Sequence, residues 1–223
     1  MTSPSASVRP ERVGMSAALL DTRLIAILRA ADASRAEAVA ETLIENGVRS
    51  LELTLTTVGA LDVLARLAAR LGTDIDLGMG TVLTVDDVNR AADAGACFVV
   101  SPTVDTDVVS AAQARGLASY PGALTPTEIA TAWSAGATAV KLFPGGALGP
   151  SYLSAVRAPL PNIPIIPTGG VALQDIPLWL KAGARAVGLG SPLIGDAMSP
   201  DGDLTALAHR TRQASDAAFE GRE

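Results

Sequence analysis

Five times in this sequence a run of small, helix-forming residues stops at a glycine and gives way at once to a short apolar stretch: "IENGVRSLELTLT", "DAGACFVVSP", "ARGLASYPG", "SAGATAVKLFP" and "KAGARAVGLGS". A glycine just past a helix ends it in the left-handed conformation, and the apolar run after it reads as the next strand. With "RLIAILRA", "DLGMGTV" and "IPIIPTGG", eight strands are predicted, near residues 23–29, 50–56, 76–82, 97–101, 117–121, 138–143, 163–168 and 186–190. The segments between them, such as "SRAEAVAETLIEN" and "TVDDVNRAAD", are amphipathic. Strict alternation of strand and helix implies a parallel sheet with right-handed crossovers, and eight units is the number at which such a sheet closes on itself. The expected fold is therefore an α/β chain forming one (β/α)8 TIM barrel over residues 15–223, with residues 1–14 as a flexible polar tail. An open doubly wound sheet is the competing architecture. No G-x-G-x-x-G follows the first strand, and "GLGSPLIG" arrives only at the eighth.

The hydrophobic share of 48% suffices for a large core. A net charge of −6, with two Trp, two Tyr and three Phe in all, leaves neither a basic surface nor stacking rings for nucleic acid. Any anion must be bound locally. The first residues lack the apolar stretch of a signal peptide and no run is long enough to span a bilayer, so the cytoplasm is expected and no membrane. Cys97 and His209 are each the only residue of their kind, which excludes an intrachain disulfide and a metal site built from several Cys or His ligands. Cys97 is expected to pack as a small hydrophobe and His209 to lie on a solvated helix face. Trp133 and Trp179 are expected to pack within helices, and Arg157 to face solvent, with a neighbouring subunit as the alternative.

In a parallel barrel all strands end at one rim, where Arg29, Glu52 to Thr56, Thr81, Ser101, Pro121, Lys141, Thr168 to Gly170, Gly190 and Ser191 would converge. Strand two, "SLELTLT", alternates, so Ser50, Glu52, Thr54 and Thr56 share one face and the leucines the other. That turns Glu52 inward, about four residues below the rim. A structural ion pair is the plainer explanation for such a glutamate. Lys141 stands in the apolar run "ATAVKLFPGG" of a chain whose only other lysine is Lys181. Three residues before the expected strand end at Pro144, its Cα would lie roughly 10 Å below that end. Taken alone, a snorkelling or paired lysine is the commoner case. Burial beside a cation such as Arg29 would instead favour the neutral amine; a fall from about 10.4 to about 7 corresponds to roughly 4.6 kcal/mol. A neutral amine condenses with ketones, and a nearby carboxylate can move the protons of that reaction; neither metal nor cofactor is needed. The glycines of "PTGG" and "GLGS" let backbone N–H groups approach an anion, with a helix start expected after each.

Together the strand ends "IAILRA", "LELTLTT", "GMGTVLT", "VSPTVD", "YPGALTPTE", "VKLFPGGALGPSYL", "IPTGGV" and "VGLGSPL" resemble the 2-keto-3-deoxy-6-phosphogluconate aldolase family, with its 4-hydroxy-2-oxoglutarate and phosphogalactonate members. The resemblance runs from about Arg23 to Gly195. It implies a class I aldolase in which Lys141 forms the Schiff base with the C2 ketone and Glu52 is general acid/base. Arg29 and Thr81 would hold the pyruvyl carboxylate, and Gly169, Gly170, Gly190 and Ser191 the phosphate. Thr56, Pro102, Phe143 and Thr168 complete the implied substrate-binding set. Products would be pyruvate with glyceraldehyde 3-phosphate, or with glyoxylate, and the implied assembly is a homotrimer. Several family members carry arginine where this chain has Thr56, whose hydroxyl is neutral. Two rivals make different use of the same residues: a non-covalent phosphosugar isomerase or epimerase with Glu52 as base, and a ligand-binding barrel without catalysis.

Overall fold

Alternation along the second predicted strand is realised in three dimensions: Leu51 and Leu53 pack against helices, while Ser50, Glu52 and Thr54 are buried on the opposite face. The structure, a computed structural model, describes residues 12–221. Nine short strands appear among them: β1 (Leu24–Leu28), β2 (Ser50–Thr54), β3 (Asp76–Gly80), β4 (Phe98–Val100), β5 (Ala118–Tyr120), β6 (Gly122–Ala123), β7 (Val140–Leu142), β8 (Ile165–Pro167) and β9 (Val187–Leu189). The helices are α1 (Ala17–Thr22), α2 (Ala36–Glu45), α3 (Ala60–Arg70), α4 (Val85–Asp93), α5 (Thr106–Ala114), α6 (Pro126–Ala135), α7 (Gly149–Arg157), α8 (Ile176–Lys181), α9 (Ser191–Ile194) and α10 (Leu204–Glu220). Helix starts follow local chemistry. Thr84 with Asp87, and Thr125 with Glu128, form capping boxes, and Pro126 opens α6 where its missing N–H costs nothing.

All strand pairs are parallel. They form a curled six-stranded sheet in the order β5-β4-β3-β2-β1-β9 and a three-stranded sheet, β6-β7-β8. The α/β class and the parallel pairing agree with the expectation, while the single eight-stranded ladder is interrupted at two seams. Pro121 separates β5 from β6: it lacks an N–H, although its carbonyl still accepts from Lys141 N at 2.9 Å. Between β8 and β9 the ladder shrinks to the bridge Thr168–Gly188.

Strand alternation produces two apolar layers. Leu24, Ala26, Leu28, Leu51, Leu53, Val99 and their equivalents meet the helices. Ile25, Ile27, Phe98, Val100, Ala118, Tyr120, Ala139, Ile166 and Ala186 fill the inside of the curl, with Leu19 of α1. At the N-terminal ends of the strands, Asp76 accepts from the Ser50 hydroxyl at 2.9 Å and from that of Ser16, the N-cap of α1. Of the expected tail, residues 1–11 lie outside the described residues. Arg12 places its guanidinium 3.4 Å from the centre of the Trp133 ring and donates to the carbonyls of Trp133 and Ala137.

Several single-residue expectations are corrected. Cys97 is exposed as a residue rather than packed in the core, while its thiol is partly covered and donates to Leu77 O at 3.2 Å; that partial desolvation, with the charge of Asp76, pushes it up to about 11. Arg157 is half-buried rather than fully solvated: its guanidinium lies against Gly183, where a Cβ would stand 1.7 Å from Nη1. Trp133 and Trp179 do fall in helices, and His209 is exposed on α10. No helix among the described residues is long and apolar enough to cross a membrane.

Candidate active site

Glu52 and Lys141 are the two charged side chains inside the curl at its C-terminal half, and both are almost completely covered, at 2% and 6% exposure. Their strands end earlier than expected. β2 stops at Thr54, two residues past Glu52, and β7 at Leu142, one residue past Lys141, so both groups sit closer to the rim than the sequence suggested.

The carboxyl of Glu52 has room because β3 carries glycine on its inward positions. A Cβ on Gly80 would lie 1.9 Å from Glu52 Oε1, and one on Gly78 would lie 2.2 Å from the Phe98 ring. Neither glycine was singled out from sequence, although "GMG" at i and i+2 of an alternating strand was the available signal. Glu52 Oε1 is buried without a hydrogen-bond partner. Burial raises the Glu52 carboxyl above the ordinary value, against the pull of Lys141 and Arg29. Burial lowers the Lys141 amine, with Glu52 opposing and Arg29 assisting. Neither group takes part in an ion pair among the described residues. Lys141 Nζ instead lies 4.8 Å from the centre of the Phe143 ring.

Arg29 is exposed at the end of β1 and donates from Nη2 to Thr81 Oγ1 at 3.2 Å. Thr81 has φ 60°, a left-handed conformation that a β-branched residue adopts only under constraint. The neighbouring bonds Leu55 N to Gly80 O and Val82 N to Val100 O hold it there. At the end of β2 the hydroxyls of Thr54 and Thr57 lie 3.0 Å apart, and Thr57 Oγ1 accepts from Ala30 N. Thr56 is exposed beyond the strand, in a turn, and donates to Thr54 Oγ1 at 3.2 Å. Its expected place within the strand is thus not realised, since β2 stops at Thr54, although its hydroxyl still points to the inward-facing Thr54.

A cavity of about 490 Å³ opens beside Lys141 and joins most of the expected set: Arg29, Phe143, Thr168, Gly169, Gly170, Gly190 and Ser191 line it. Its floor includes Ile27 and Gly188; a Cβ on Gly188 would lie 2.4 Å from Thr168 Oγ1. Glu52, Thr56, Thr81 and Pro102 are not on its wall. Pro102 approaches Gly122, where a Cβ would meet the Pro102 carbonyl oxygen at 2.4 Å. Gly169 and Gly170 have φ 82° and 77°, and their loop is stitched to the end of β7 by Gly145 N to Thr168 O and Gly146 N to Gly169 O, both 2.8 Å. The expected helix starts differ: the four-residue α9 follows Gly190, whereas a 3-10 turn, Leu173–Asp175, intervenes between Gly170 and α8. The cavity thus has a cationic and an amine side at Arg29 and Lys141, and a glycine-rich side at the ends of β8 and β9. Such a hollow suits a small keto acid that carries a second anionic group.

The family model "Aldolase: KDPG and KHG aldolase" matches residues 15–209. A probable 2-dehydro-3-deoxy-6-phosphogalactonate aldolase of Rhizobium meliloti is 37% identical over 205 residues, 92% of this chain and 96% of its own. A solved structure described as native KDPGal superposes with a TM-score of 0.83 at 31% identity, covering 89% of this chain and 95% of the other. KDPG aldolase from Legionella pneumophila, with pyruvate captured at low pH as a covalent carbinolamine intermediate, superposes with a TM-score of 0.75 at 25% identity, over 91% and 95% of the two chains.

Proposed function

This chain belongs to the KDPG and KHG aldolase family and is an aldolase, and on that premise we propose that Lys141 forms the Schiff base of a class I cleavage of 2-keto-3-deoxy-6-phosphogluconate, 4-hydroxy-2-oxoglutarate, or both. The observation that carries this reading is a pair of buried, unbridged groups, Lys141 and Glu52, whose burial pushes the amine toward its neutral form and the carboxyl toward its protonated form. Glu52 and Lys141 feel each other's charge without closing into an ion pair, which leaves the amine free to attack a ketone.

In the proposed sequence the Nζ lone pair attacks the C2 ketone, and the carbinolamine loses water to an iminium, with Glu52 supplying and taking up protons. Glu52 then removes the C4 hydroxyl proton, the C3–C4 bond breaks, and its electron pair is taken up by the iminium as an enamine. The aldehyde departs as glyceraldehyde 3-phosphate or glyoxylate. Protonation at C3 and hydrolysis return pyruvate and the free amine. Arg29, held by Thr81, faces the carboxylate, while Phe143 covers the amine and keeps water from it. Gly169, Gly170, Gly190 and Ser191 receive the phosphate and Thr168 the sugar-acid hydroxyls, with Thr56 and Pro102 shaping the rim. The carbinolamine in the Legionella relative supports the covalent step.

The Rhizobium relative and the KDPGal structure favour the phosphogalactonate acid as a second substrate, the C4 epimer of the first. We further read the two sheets as one closed (β/α)8 barrel over residues 15–223, supported by the Thr168–Gly188 bridge and the Pro121 carbonyl bond that span the seams. A cytoplasmic homotrimer is the assembly that family membership suggests. The deciding experiment is borohydride reduction in the presence of pyruvate, followed by peptide mass analysis. A reduced pyruvyl group on Lys141 is expected; folded protein of unchanged mass would reject the class I reading.

A further inference from the structure

One wall of the cavity is made by the chain from Gly188 to Gly195, which supplies Gly188, Gly190, Ser191, Pro192, Ile194 and Gly195. Within it α9 is a single turn of four residues, closed by Leu193 N and Ile194 N to Gly190 O and by Gly195 N to Ser191 O. One isolated turn fixes several dihedral angles for few hydrogen bonds and does not hold itself together in water. The carbonyls at its C-terminal end also lack intrahelical donors. Gly195 ends it at φ 58°, ψ −129°, a backbone region open essentially to glycine alone.

The donors come from elsewhere in the chain. Arg210, on α10, donates from Nε to Leu193 O at 2.7 Å and from Nη2 to Ile194 O at 2.9 Å. A Cβ on Gly195 would lie 2.6 Å from Nη2, so the glycine also makes room for the guanidinium. Leu193 and Ile194 are buried, which leaves little water to replace the guanidinium at their carbonyls. The planar fork meets two carbonyls at once and puts positive charge at the negative end of the turn, which a lysine ammonium cannot match in geometry. Arg210 itself does not line the cavity.

We propose that Arg210 is a positioning residue that holds the Gly190–Gly195 wall in the shape required to bind the substrate's phosphate, without touching substrate. This rests on the aldolase reading. The test compares wild type, Arg210→Met and Arg210→Lys on 2-keto-3-deoxy-6-phosphogluconate, its phosphogalactonate epimer and unphosphorylated 4-hydroxy-2-oxoglutarate, with pyruvate–borohydride labelling in parallel. For whichever phosphorylated acid is turned over, Arg210→Met should raise KM about tenfold, the scale of a lost charge-assisted hydrogen bond. Its kcat, the KM for 4-hydroxy-2-oxoglutarate and the labelling of Lys141 should stay near wild type. Arg210→Lys, which keeps the charge and most of the stem, should fold and show a smaller shift of the same kind. An unchanged KM for the phosphorylated acid in either folded variant overturns the proposal, as does an equal loss on all substrates, which marks a merely structural role. Absence of label on wild-type Lys141 would reject the aldolase reading itself, so the two failures are distinguishable.

Discussion

Glu52 folds its carboxyl over the bare Cα of Gly80 on the neighbouring strand, where a side chain's first carbon would lie 1.9 Å from Oε1. β2 and β3 place Thr54 opposite Gly80 and Glu52 opposite Gly78, so the glutamate reaches diagonally toward the rim over the space the glycine leaves. Gly80→Ala should therefore displace the carboxyl while Lys141 stays in place. Steady-state assays should show kcat lower by about a hundredfold, the usual worth of a positioned general acid/base. Pyruvate labelling of Lys141 should persist, more slowly.

Burial gives the two site groups opposite pH signatures. Glu52 is raised above its ordinary value of 4.5, so the stability it contributes is complete below that value and is lost as pH rises through the raised one. Glu52→Gln abolishes this dependence. The variant should melt near the wild-type temperature around pH 4 and several degrees higher around pH 8. Lys141 is lowered, so its contribution is present above the ordinary lysine value of 10.5 and is lost as pH falls through the lowered one. Lys141→Met should thus gain stability over wild type on the acid side. Thermal melts across pH check both slopes.

Thr81 exchanges stability for position. Its φ of 60° costs about 1–2 kcal/mol, and a glycine there would cost about 0.5–1 kcal/mol in chain entropy. Thr81→Gly should be more stable in urea by the difference, about 0.5–1 kcal/mol. The same change removes the acceptor of Arg29, and KM for the keto acid should rise about tenfold. A destabilised variant with unchanged KM would contradict both halves.

Arg12 ties the chain before α1 to the end of α6, stacking on Trp133 and donating to two carbonyls. α6 leads into β7 at the end opposite the cavity. Arg12→Ala should lower stability by about 2–4 kcal/mol, the sum of a cation–π contact and a charge-assisted hydrogen bond, with kcat within twofold of wild type. Denaturant melts and steady-state kinetics measure the two effects separately.

Local physics made much of this protein legible as a string of letters. Glycine after a helical run and alternation of period two placed all the strands except the two-residue β6 to within a few residues, since both depend only on near neighbours. They turned Glu52 inward and put Lys141 within a strand near the same rim. Residues at strand ends were harder. Thr56 was expected within the strand because the alternation of "SLELTLT" runs on past Thr54, but backbone pairing ends there and the residue sits in an exposed turn, with its hydroxyl bonded back to Thr54. Arg157 and Cys97 were misplaced for a related reason: whether a side chain is covered depends on segments distant in sequence.

The α/β alternation, the parallel pairing and the residue types that share the inner face could all be read from the letters, because each follows from spacing along one strand or helix. Tertiary structure alone decided that Gly80 makes room for Glu52, that Thr81 is held in a left-handed bend against Arg29, and that Arg210 reaches back to the wall beside Ser191. Those relations join residues brought together only when the sheet curls and the last helix packs across it. The shifts at Lys141 and Glu52 belong to the same class, since they arise from the exclusion of water by the whole fold.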